Sequence, residues 1–370
     1  MARTSLTVAL VCPYSLSAPG GVQGQVLGLA RALARRGHEP VVFAPVDDRA
    51  PEDVRVVSTG PSVSVPGNGS RAPLARSPRR VLAGVRAVGT GGFDVVHVHE
   101  PFAPGLPLAL VLSRRRPPGV ATFHRSGAST AYRLLRPLGG VAARRFAVRV
   151  AVSEAARATA AVLVPGPVEV LFNGVATGGH VAEPWPTTGP TILFLGRHEP
   201  RKGLAVLLAA HERLPVPRPI LWIAGDGPEM ATLQEHYPAA PERWWLGVVS
   251  DAEKERRLAA ADVLVAPSLG AESFGIVLLE AMAHGTAVVA SDIDGYREAA
   301  GGAARLVPPG DAVALADALA GVLGGVTGEV PEATATLVSR GRERADACSM
   351  TRLAERYEDA YRAALDAADG

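Results

Sequence analysis

The sequence predicts an α/β protein made of two doubly wound domains, each built around a mostly parallel sheet. Short apolar runs alternate with helical segments, and this alternation places parallel strands side by side through right-handed crossovers. The alternation stops at residues 176–190, which are rich in Gly, Pro and Thr, and then begins again. With 370 residues, of which 48% are hydrophobic, the chain is long enough to bury two cores.

These observations set the expected domain boundaries. We expect an N-terminal domain over residues 1–175, a C-terminal domain over 176–348, and a last helical segment, 349–370, that crosses back onto the N-terminal domain. Around residues 349–366 one helix face carries the apolar side chains Leu353, Tyr357, Tyr361 and Leu365.

The elements of the N-terminal domain follow from apolar runs and helical spacing. A first helix is expected from residue 21 to Gly37, because Val22, Val26, Leu29 and Leu33 recur at helical intervals. Gly37 suits the end of that helix. The strands are expected at 6–12, 39–45, 93–100, 119–124, 145–153 and 168–174.

The C-terminal domain repeats the pattern. Strands are expected at 191–196, 219–227, 243–249, 262–268 and 287–292. Helices are expected at 204–213, from Glu229, at 251–261 and at 273–285. Ligands of such sheets bind at the carboxyl ends of the strands, so the residues just after each strand are the candidates for chemistry.

Composition excludes several classes of protein. A net charge of +2 argues against a protein that binds nucleic acid by bulk electrostatics. Cys12 and Cys348 have no disulfide or metal spacing and suit a reducing cytosol. The first apolar run is read as a buried strand rather than a signal peptide, and no run is long enough to span a membrane. We expect a monomer in the cytoplasm.

A basic loop follows the first strand of the C-terminal domain. The segment 196–203, GRHEPRKG, places Arg197 and Lys202 five positions apart, where both side chains can converge on one diphosphate. A guanidinium offers two parallel donors and an ammonium offers a point charge, which suits phosphate oxygens. The alternative is a solvated basic turn. Arg201 has no predicted role.

Two other segments that follow strands are candidates. The segment 19–23, PGGVQ, lets backbone approach an anion at a helix start, although it lacks the dinucleotide motif. In 272–280, ESFGIVLLE, Glu272 and Glu280 lie about 80° apart around a helix expected to start near 273–275, with small residues suited to an anion. Carboxylates accept hydrogen bonds from sugar hydroxyls, so this segment predicts a nucleotide-sugar site. The alternative is an amphipathic helix with unrelated acids.

Histidines and paired aspartates are weaker candidates. His124 lies at a strand end and is expected to face the space between the domains; a structural histidine is the alternative. His97 and His99 share a strand face but have no evident third ligand, so a polar strand end is favoured over a metal pair. The segment 292–294, DID, is read as an ordinary turn. No metal is expected.

These motifs together resemble a known family. The segments PGGVQ, GRHEPRKG, GDGPE and ESFGIVLLEAMAHG are similar to those of the retaining glycosyltransferases of family 4, which have the GT-B fold. The likeness runs from about residue 6 to 362 and is greatest to the actinobacterial phosphatidylinositol α-mannosyltransferases. It implies two Rossmann-like domains facing a central cleft, and transfer of a hexose, mannose from GDP-mannose, to a hydroxyl of phosphatidylinositol or a related polar acceptor.

The resemblance also implies roles for individual residues. Arg197 and Lys202 would bind the donor diphosphate, Glu272 would engage the transferred hexose, and His124 would lie near the reacting sugar. No metal or other cofactor would be needed. The further donor contacts implied are Gly21 at the phosphates, Ser273, Phe274 and Gly275 at the hexose, Glu280 at the ribose, and Val249, Asp251 and Lys254 at the guanine.

The expected acceptor pocket departs from the family pattern. Ser17 stands where the mannosyltransferases have Asp, Arg125 where they have Thr, and Ser129 where they have Lys. Tyr14 and Gln23 match. Arg125 would replace the missing lysine as a phosphate partner, or it marks a different acceptor. The loop before Lys202 is also one residue shorter than in the mannosyltransferases.

The resemblance further implies peripheral contact with an anionic membrane through the basic segment 70–88, for which a solvated Arg-rich helix is the alternative. Such contact would bring the protein to the inner face of the plasma membrane. Two other functions stay open: a family 4 paralogue with a different acceptor, such as a secondary metabolite or another glycolipid, and a catalytically idle protein that binds nucleotide sugar.

Overall fold

The computed structural model describes residues 5–18, 20–67, 70–127, 132, 134–178, 183–324 and 331–369. The chain forms two units. The first comprises Met1–Gly174 together with Met350–Gly370, and the second comprises Val175–Ser349. Each boundary lies one residue from the expected one.

The first unit is built on a seven-stranded parallel sheet with a two-stranded antiparallel hairpin beside it. Its strands are β1 Thr7–Val11, β2 Glu39–Ala44, β3 Val56–Ser58, β4 Ser62–Gly67, β5 Ser70–Ala75, β6 Val95–His99, β7 Gly119–Phe123, β8 Val148–Ala151 and β9 Glu169–Val170. Its helices up to residue 161 are α1 Gly21–Arg35, α2 Pro78–Thr90, α3 Leu106–Leu112, α4 Arg136–Arg145 and α5 Glu154–Ala161.

The order of the strands in this sheet positions the loops. The order is β3-β2-β1-β6-β7-β8-β9, so the chain reverses direction across the sheet between β1 and β6. In doubly wound sheets, ligands bind outside the carboxyl ends of the strands at such a reversal. The segments that follow β1, β6 and β7 therefore meet at one edge, and they contain Tyr14, Glu100 and His124.

Segment 70–88 is not one amphipathic helix. Residues 70–75 form β5 of the hairpin, and only Pro78–Thr90 is helical. Val81 and Val85 of α2 pack against the core of the unit, because this face of the helix covers the sheet. Leu82 is the large apolar side chain of α2 that is left in solvent, with 67% of its surface exposed.

The second unit repeats the architecture with a six-stranded parallel sheet of order β12-β11-β10-β13-β14-β15. Its strands are β10 Thr191–Leu195, β11 Ile220–Ala224, β12 Arg243–Gly247, β13 Val263–Ala266, β14 Ala287–Ser291 and β15 Arg305–Val307. Its helices are α6 Leu204–His211, α7 Met230–His236, α8 Asp251–Ala260, α9 Ile276–His284, α10 Asp294–Ala300, α11 Ala312–Leu323 and α12 Glu332–Ala347, with a 3-10 helix at Pro200–Lys202.

The chain ends with α13, Met350–Asp369, which belongs to the first unit. Tyr357 and Tyr361 are buried in the core beneath the sheet, and Leu353 and Leu365 pack at its margin. Glu358 pairs with Arg36 and, at 3.1 Å, with Nε2 of His38, which attaches the helix to the end of α1. None of the helices in the described ranges is long and apolar enough to cross a membrane.

Candidate active site

The basic loop and the acidic segment of the second unit lie side by side. They follow β10 and β13, which are neighbours in the sheet. The backbone N–H of Leu269 donates to the carbonyl of Arg201 at 2.8 Å, which joins the two loops. Gly203 has a φ of 68°, and a Cβ there would overlap the carbonyl oxygen of Pro267. Only glycine allows this close approach without strain.

Cations and carboxylates alternate across these loops. Nζ of Lys202 lies 2.8 Å from Oε1 of Glu272, and Nη1 of Arg201 lies 2.7 Å from the same oxygen. Arg201 also reaches Oε2 of Glu199 at 2.9 Å through Nε, and Arg197 reaches Oε1 of Glu199 at 2.9 Å. Three positive charges against two negative charges leave a net charge of +1. We call these five residues the donor cluster.

The donor cluster contains two residues that sequence reasoning missed. Arg201, which had no predicted role, links Glu199 to Glu272. Glu199 is buried, with 3% of its surface exposed, and accepts from both neighbouring arginines. An acid enclosed by three cations within six residues was the available signal, because a buried carboxylate needs compensating partners.

The acidic segment differs from the expected helix. The helix α9 begins at Ile276, just after the expected start near 273–275, and Glu272 lies in the loop before it, as expected. The angle of about 80° around one helix therefore does not describe the two carboxylates. Gly275 has a φ of 111°, and a Cβ there would come within 2.6 Å of the Tyr296 ring. Phe274 is buried, which anchors this turn to the core.

Glu280 belongs to a separate ion pair. Its Oε1 lies 2.9 Å from Nζ of Lys254, which is also 3.7 Å from Oδ1 of Asp251. Burial alone would lower the pKa of Lys254, but the charge and hydrogen bond of Glu280 together with the charges of Asp251 and Glu255 outweigh it, and the pKa is raised. Ser250 caps the start of α8 by accepting from the N–H of Glu253, and Val249 is half-buried just before it. The predicted base and ribose contacts thus share one corner of the unit.

In the first unit, the predicted acceptor residues Ser17 and Gln23 shape the loop after β1. The Gln23 amide donates to the carbonyls of Ser15 at 3.3 Å and Ala18 at 3.1 Å. Ser17 Oγ accepts from the backbone N–H groups of Asp47 and Asp48. These bonds hold the loop in place. A contact of either side chain with acceptor stays a prediction.

Gly21 is the first residue of α1, and none of the described side chains caps that helix start. Uncapped N–H groups at a helix start suit an anion. The predicted approach of Gly21 to the donor phosphates stays a prediction. Pro19 of the PGGVQ segment lies outside the described residues, and so does the predicted acceptor residue Ser129.

His124 is enclosed rather than open. Only 8% of its surface is exposed, and its Nε2 lies 2.9 Å from Nδ1 of His99. Burial lowers the pKa of His124 to about 3, so its ring is neutral at pH 7. The ring is buried on most sides, and the expectation that His124 faces the space between the domains stays a prediction.

Glu100 is another residue that the sequence reading missed. Its Oε1 accepts from the backbone N–H groups of His124 and, at 2.7 Å, of Arg125. Glu100 also has a φ of 50°, a left-handed conformation that is unusual for a residue other than glycine. Its carboxylate clamps the turn after β7. The guanidinium of Arg125 lies 5.1 Å from the centre of the Tyr132 ring.

Tyr14 lies close to this turn. Burial raises the pKa of Tyr14, and the negative charge of Glu100 raises it further while Arg125 lowers it. The predicted acceptor residues Tyr14 and Arg125 therefore belong to one electrostatic group with Glu100.

The two weaker candidates have structural partners. His97 and His99 are buried in the first unit, and in the described ranges no group of three His, Cys, Asp or Glu side chains is placed to hold a metal ion. Arg297 pairs with both Asp292 and Asp294 of the segment read as an ordinary turn. The need for a metal is not tested by this arrangement.

Comparison with known proteins identifies the family of this chain. Residues 19–178 match the family described as Glycosyltransferase Family 4, and residues 189–324 match glycosyl transferases group 1. The phosphatidyl-myo-inositol mannosyltransferase of Mycolicibacterium smegmatis is 42% identical over 353 residues, which are 92% of this chain and 89% of the relative. The chain is a family 4 glycosyltransferase.

Other similar proteins agree with the assignment of this chain to the family 4 glycosyltransferases. The protein of the same name from Mycobacterium tuberculosis is 41% identical over 86% of this chain and 88% of its own length. The solved sucrose-phosphate synthase of Thermosynechococcus elongatus has a TM-score of 0.74 at 22% identity and covers 98% of this chain and 100% of its own. The predicted GT-B fold with two Rossmann-like domains is confirmed, and so is the predicted family.

Proposed function

We propose that this glycosyltransferase moves mannose from GDP-mannose to a hydroxyl of phosphatidylinositol, with the anomeric configuration retained. The observation that carries the proposal is the 42% identity, over 92% of the chain, to a relative whose name states mannosyl transfer to phosphatidyl-myo-inositol. The donor cluster supports it independently, since its cations suit a diphosphate and its carboxylates suit sugar hydroxyls.

The donor cluster would rearrange its pairs when the donor binds. Lys202 and Arg201 both contact Glu272. A donor diphosphate supplies oxygens that compete for Lys202 and Arg197. An ammonium that turns to phosphate leaves Glu272 with one cation fewer, so that its carboxylate can accept from a hexose hydroxyl. Arg201 keeps a contact with buried Glu199, so the carboxylates stay oriented during the exchange.

The transfer itself needs only groups that these partners supply. The bond between the anomeric carbon and the diphosphate oxygen breaks, and a bond from that carbon to the acceptor oxygen forms on the same face. The acceptor hydroxyl proton passes to the departing phosphate oxygen, and GDP is released. Fixed cations stabilise the negative charge that develops on the leaving diphosphate, and such electrostatic stabilisation usually contributes most to the rate enhancement.

Arg125 supports a phosphate-bearing acceptor. Its backbone N–H is held by Glu100 and its guanidinium lies against the Tyr132 ring, so the cation has a defined direction. A guanidinium binds phosphate through paired donors. We propose that Arg125 takes the lipid phosphate in place of the lysine that this chain lacks at Ser129.

Helix α2 supports contact with an anionic lipid surface. Arg76, Arg79, Arg80 and Arg86 are exposed in and just before this helix, and Arg79 and Arg86 lie beside Leu82. We propose that this patch docks on vesicles that contain phosphatidylinositol. Sedimentation with such vesicles should exceed sedimentation with neutral phosphatidylcholine vesicles and should fall at high salt. Equal sedimentation with both kinds of vesicle would show that the patch does not dock on anionic lipid.

The decisive experiment is mass spectrometry of the lipid products from GDP-mannose and phosphatidylinositol vesicles. A mannosylated lipid, absent with the Lys202→Ala variant, is expected. If GDP is released only with some other acceptor, the enzyme is a paralogue with a different acceptor specificity. If the protein binds GDP-mannose but transfers to no acceptor, the idle alternative holds.

A further inference from the structure

Three histidines form a buried chain in the first unit. His97 and His99 lie on one face of β6, with ring centres 4.2 Å apart and the planes stacked. The His99 ring stacks in turn on His124, with centres 5.1 Å apart, and the two are joined by the 2.9 Å bond between Nδ1 of His99 and Nε2 of His124. The chain thus runs from the sheet interior to the predicted reaction site.

The inner end of this chain is held by hydroxyl groups. Nδ1 of His97 lies 2.9 Å from the Tyr361 hydroxyl, and its Nε2 lies 2.7 Å from Oγ1 of Thr122. The Tyr357 hydroxyl is 2.9 Å from the same threonine oxygen. Both tyrosines belong to α13, so the C-terminal helix anchors the first ring. A stacked and anchored ring leaves His99 little freedom to turn.

The hydrogen bonds restrict where the protons can be. His99 is neutral, because burial lowers its pKa well below the usual value, and the same holds for His124. Each ring then carries one proton. Nε2 of His99 is buried and has no hydrogen-bond partner among the described residues. If that nitrogen carried the proton, a donor would be buried unpaired, and buried donors without partners are rarer than unpaired acceptors.

The favoured arrangement therefore has the His99 proton on Nδ1, which donates to Nε2 of His124. Since that nitrogen of His124 then accepts, the His124 proton must lie on Nδ1. In the described part of the chain no hydrogen bond is found at Nδ1 of His124, and this atom is not among the fully buried unpaired nitrogens, so it can meet a ligand.

We propose that His99 is a positioning residue that fixes the tautomer and the direction of His124, so that His124 presents an Nδ1–H donor to an oxygen of the transferred sugar. The sugar contact rests on the proposed function, whereas the tautomer rests on the geometry of the first unit alone. The arrangement also explains why three histidines occupy buried positions. Apolar side chains there would avoid the cost of desolvating the ring nitrogens, so the histidines need a role other than packing.

The wild-type tautomer tests the proposal without any assay of transfer. With ¹⁵N-labelled histidine, the couplings between ring nitrogens and ring protons report which nitrogen is protonated, and the His124→Gln variant assigns the signal among the nine histidines. The expected state is Nδ1–H for His124. An Nε2–H state, or a mixture of the two, would overturn the proposal whether or not the protein transfers mannose.

A pair of variants then tests the role of His99. In His99→Asn, the side-chain amide occupies the place of Nδ1 and can still donate to His124, whereas His99→Phe keeps a stacked ring without a donor. We expect His99→Phe to lose the fixed tautomer and to lower kcat by roughly 10- to 100-fold with little change in the KM for GDP-mannose, because the sugar is misaligned rather than unbound. His99→Asn should keep the tautomer and most of the turnover.

The outcomes separate a positioning role from a purely structural one. If both variants lose turnover in proportion to a lower Tm, His99 serves packing and the proposal fails. If His99→Phe keeps both kcat and the tautomer, the proposal also fails. If neither the wild type nor His99→Asn transfers mannose while the wild-type tautomer is Nδ1–H, the proposed function fails and the positioning of His124 stands.

Discussion

The polar groups of the two units of this glycosyltransferase differ in charge and in burial. The donor cluster of the second unit holds five charges that neutralise one another almost completely at a partly exposed surface. The histidine chain of the first unit is buried and uncharged, and its order comes from stacking and single hydrogen bonds. Paired charges at a partly exposed surface can exchange partners when an anion arrives, whereas a neutral buried chain can only hold a direction.

The comparison predicts that loss of a cation in the donor cluster affects the rate far more than the stability. We expect Lys202→Ala to lower kcat by about 10²- to 10³-fold, since it removes a fixed charge from the leaving diphosphate. Arg213→Ala, which removes an exposed cation of the same unit, is the matched control and should leave kcat unchanged. Steady-state kinetics and thermal unfolding measure both effects. A Lys202→Ala enzyme with normal turnover would contradict the role of the cluster.

The contact between the two loops of the donor cluster can be broken by one methyl group. Gly203 and Gly247 have nearly equal φ values, 68° and 66°, but only at Gly203 would a Cβ meet backbone. We expect Gly203→Ala to lower the free energy of unfolding by about 3 kcal/mol through strain and overlap. Gly247→Ala should cost only the conformational strain of about 1 kcal/mol. Denaturant unfolding measures both, and equal losses would show that the loops do not need this approach.

In the first unit we instead expect the free energy of unfolding to depend on the contact between α13 and the end of α1. Glu358→Gln removes the charge that pairs with Arg36 and His38, and we expect a loss of about 2 kcal/mol in the free energy of unfolding. Glu355→Gln, whose carboxylate is an exposed partner of Arg36, is the control and should cost far less.

The same pair has a defined pH dependence. Burial would raise the pKa of Glu358, but hydrogen bonds from Arg36 and His38 outweigh it and hold the pKa below the ordinary value of 4.5. Its contribution is therefore complete above pH 4.5 and is lost as the pH falls through the lower folded-state pKa. The stability difference between wild type and Glu358→Gln should shrink in acid, and a constant difference would contradict the pairing.

The smallest expected effect concerns the orientation of the donor cluster. Glu199→Gln removes the buried charge that holds Arg197 and Arg201, so the remaining cluster is more positive but less ordered. We expect kcat to fall about tenfold while the affinity for GDP is kept or improved. Calorimetric titration with GDP beside steady-state kinetics separates the two. Weaker GDP binding at unchanged kcat would mean that Glu199 serves binding alone.

Local patterns carried most of the fold prediction. Strands such as Thr191–Leu195 and helices such as α1 were predictable because a buried strand or an amphipathic helix repeats within a few residues. The hairpin β4–β5 was missed, since its strands carry Pro66 and Pro73 and few apolar side chains. The start of α9 was placed too early, because the positive φ of Gly275 depends on packing against Tyr296.

The sequence by itself determined the fold class, the family and two cations of the donor cluster, Arg197 and Lys202, because these are properties of short segments. Only the tertiary structure decided which charges meet and which rings touch. Arg201 and Glu272 are 71 positions apart, His99 and His124 are 25 apart, and His97 and Tyr361 are 264 apart. No local pattern encodes such distances, because the order of the strands and the docking of α13 bring these side chains together.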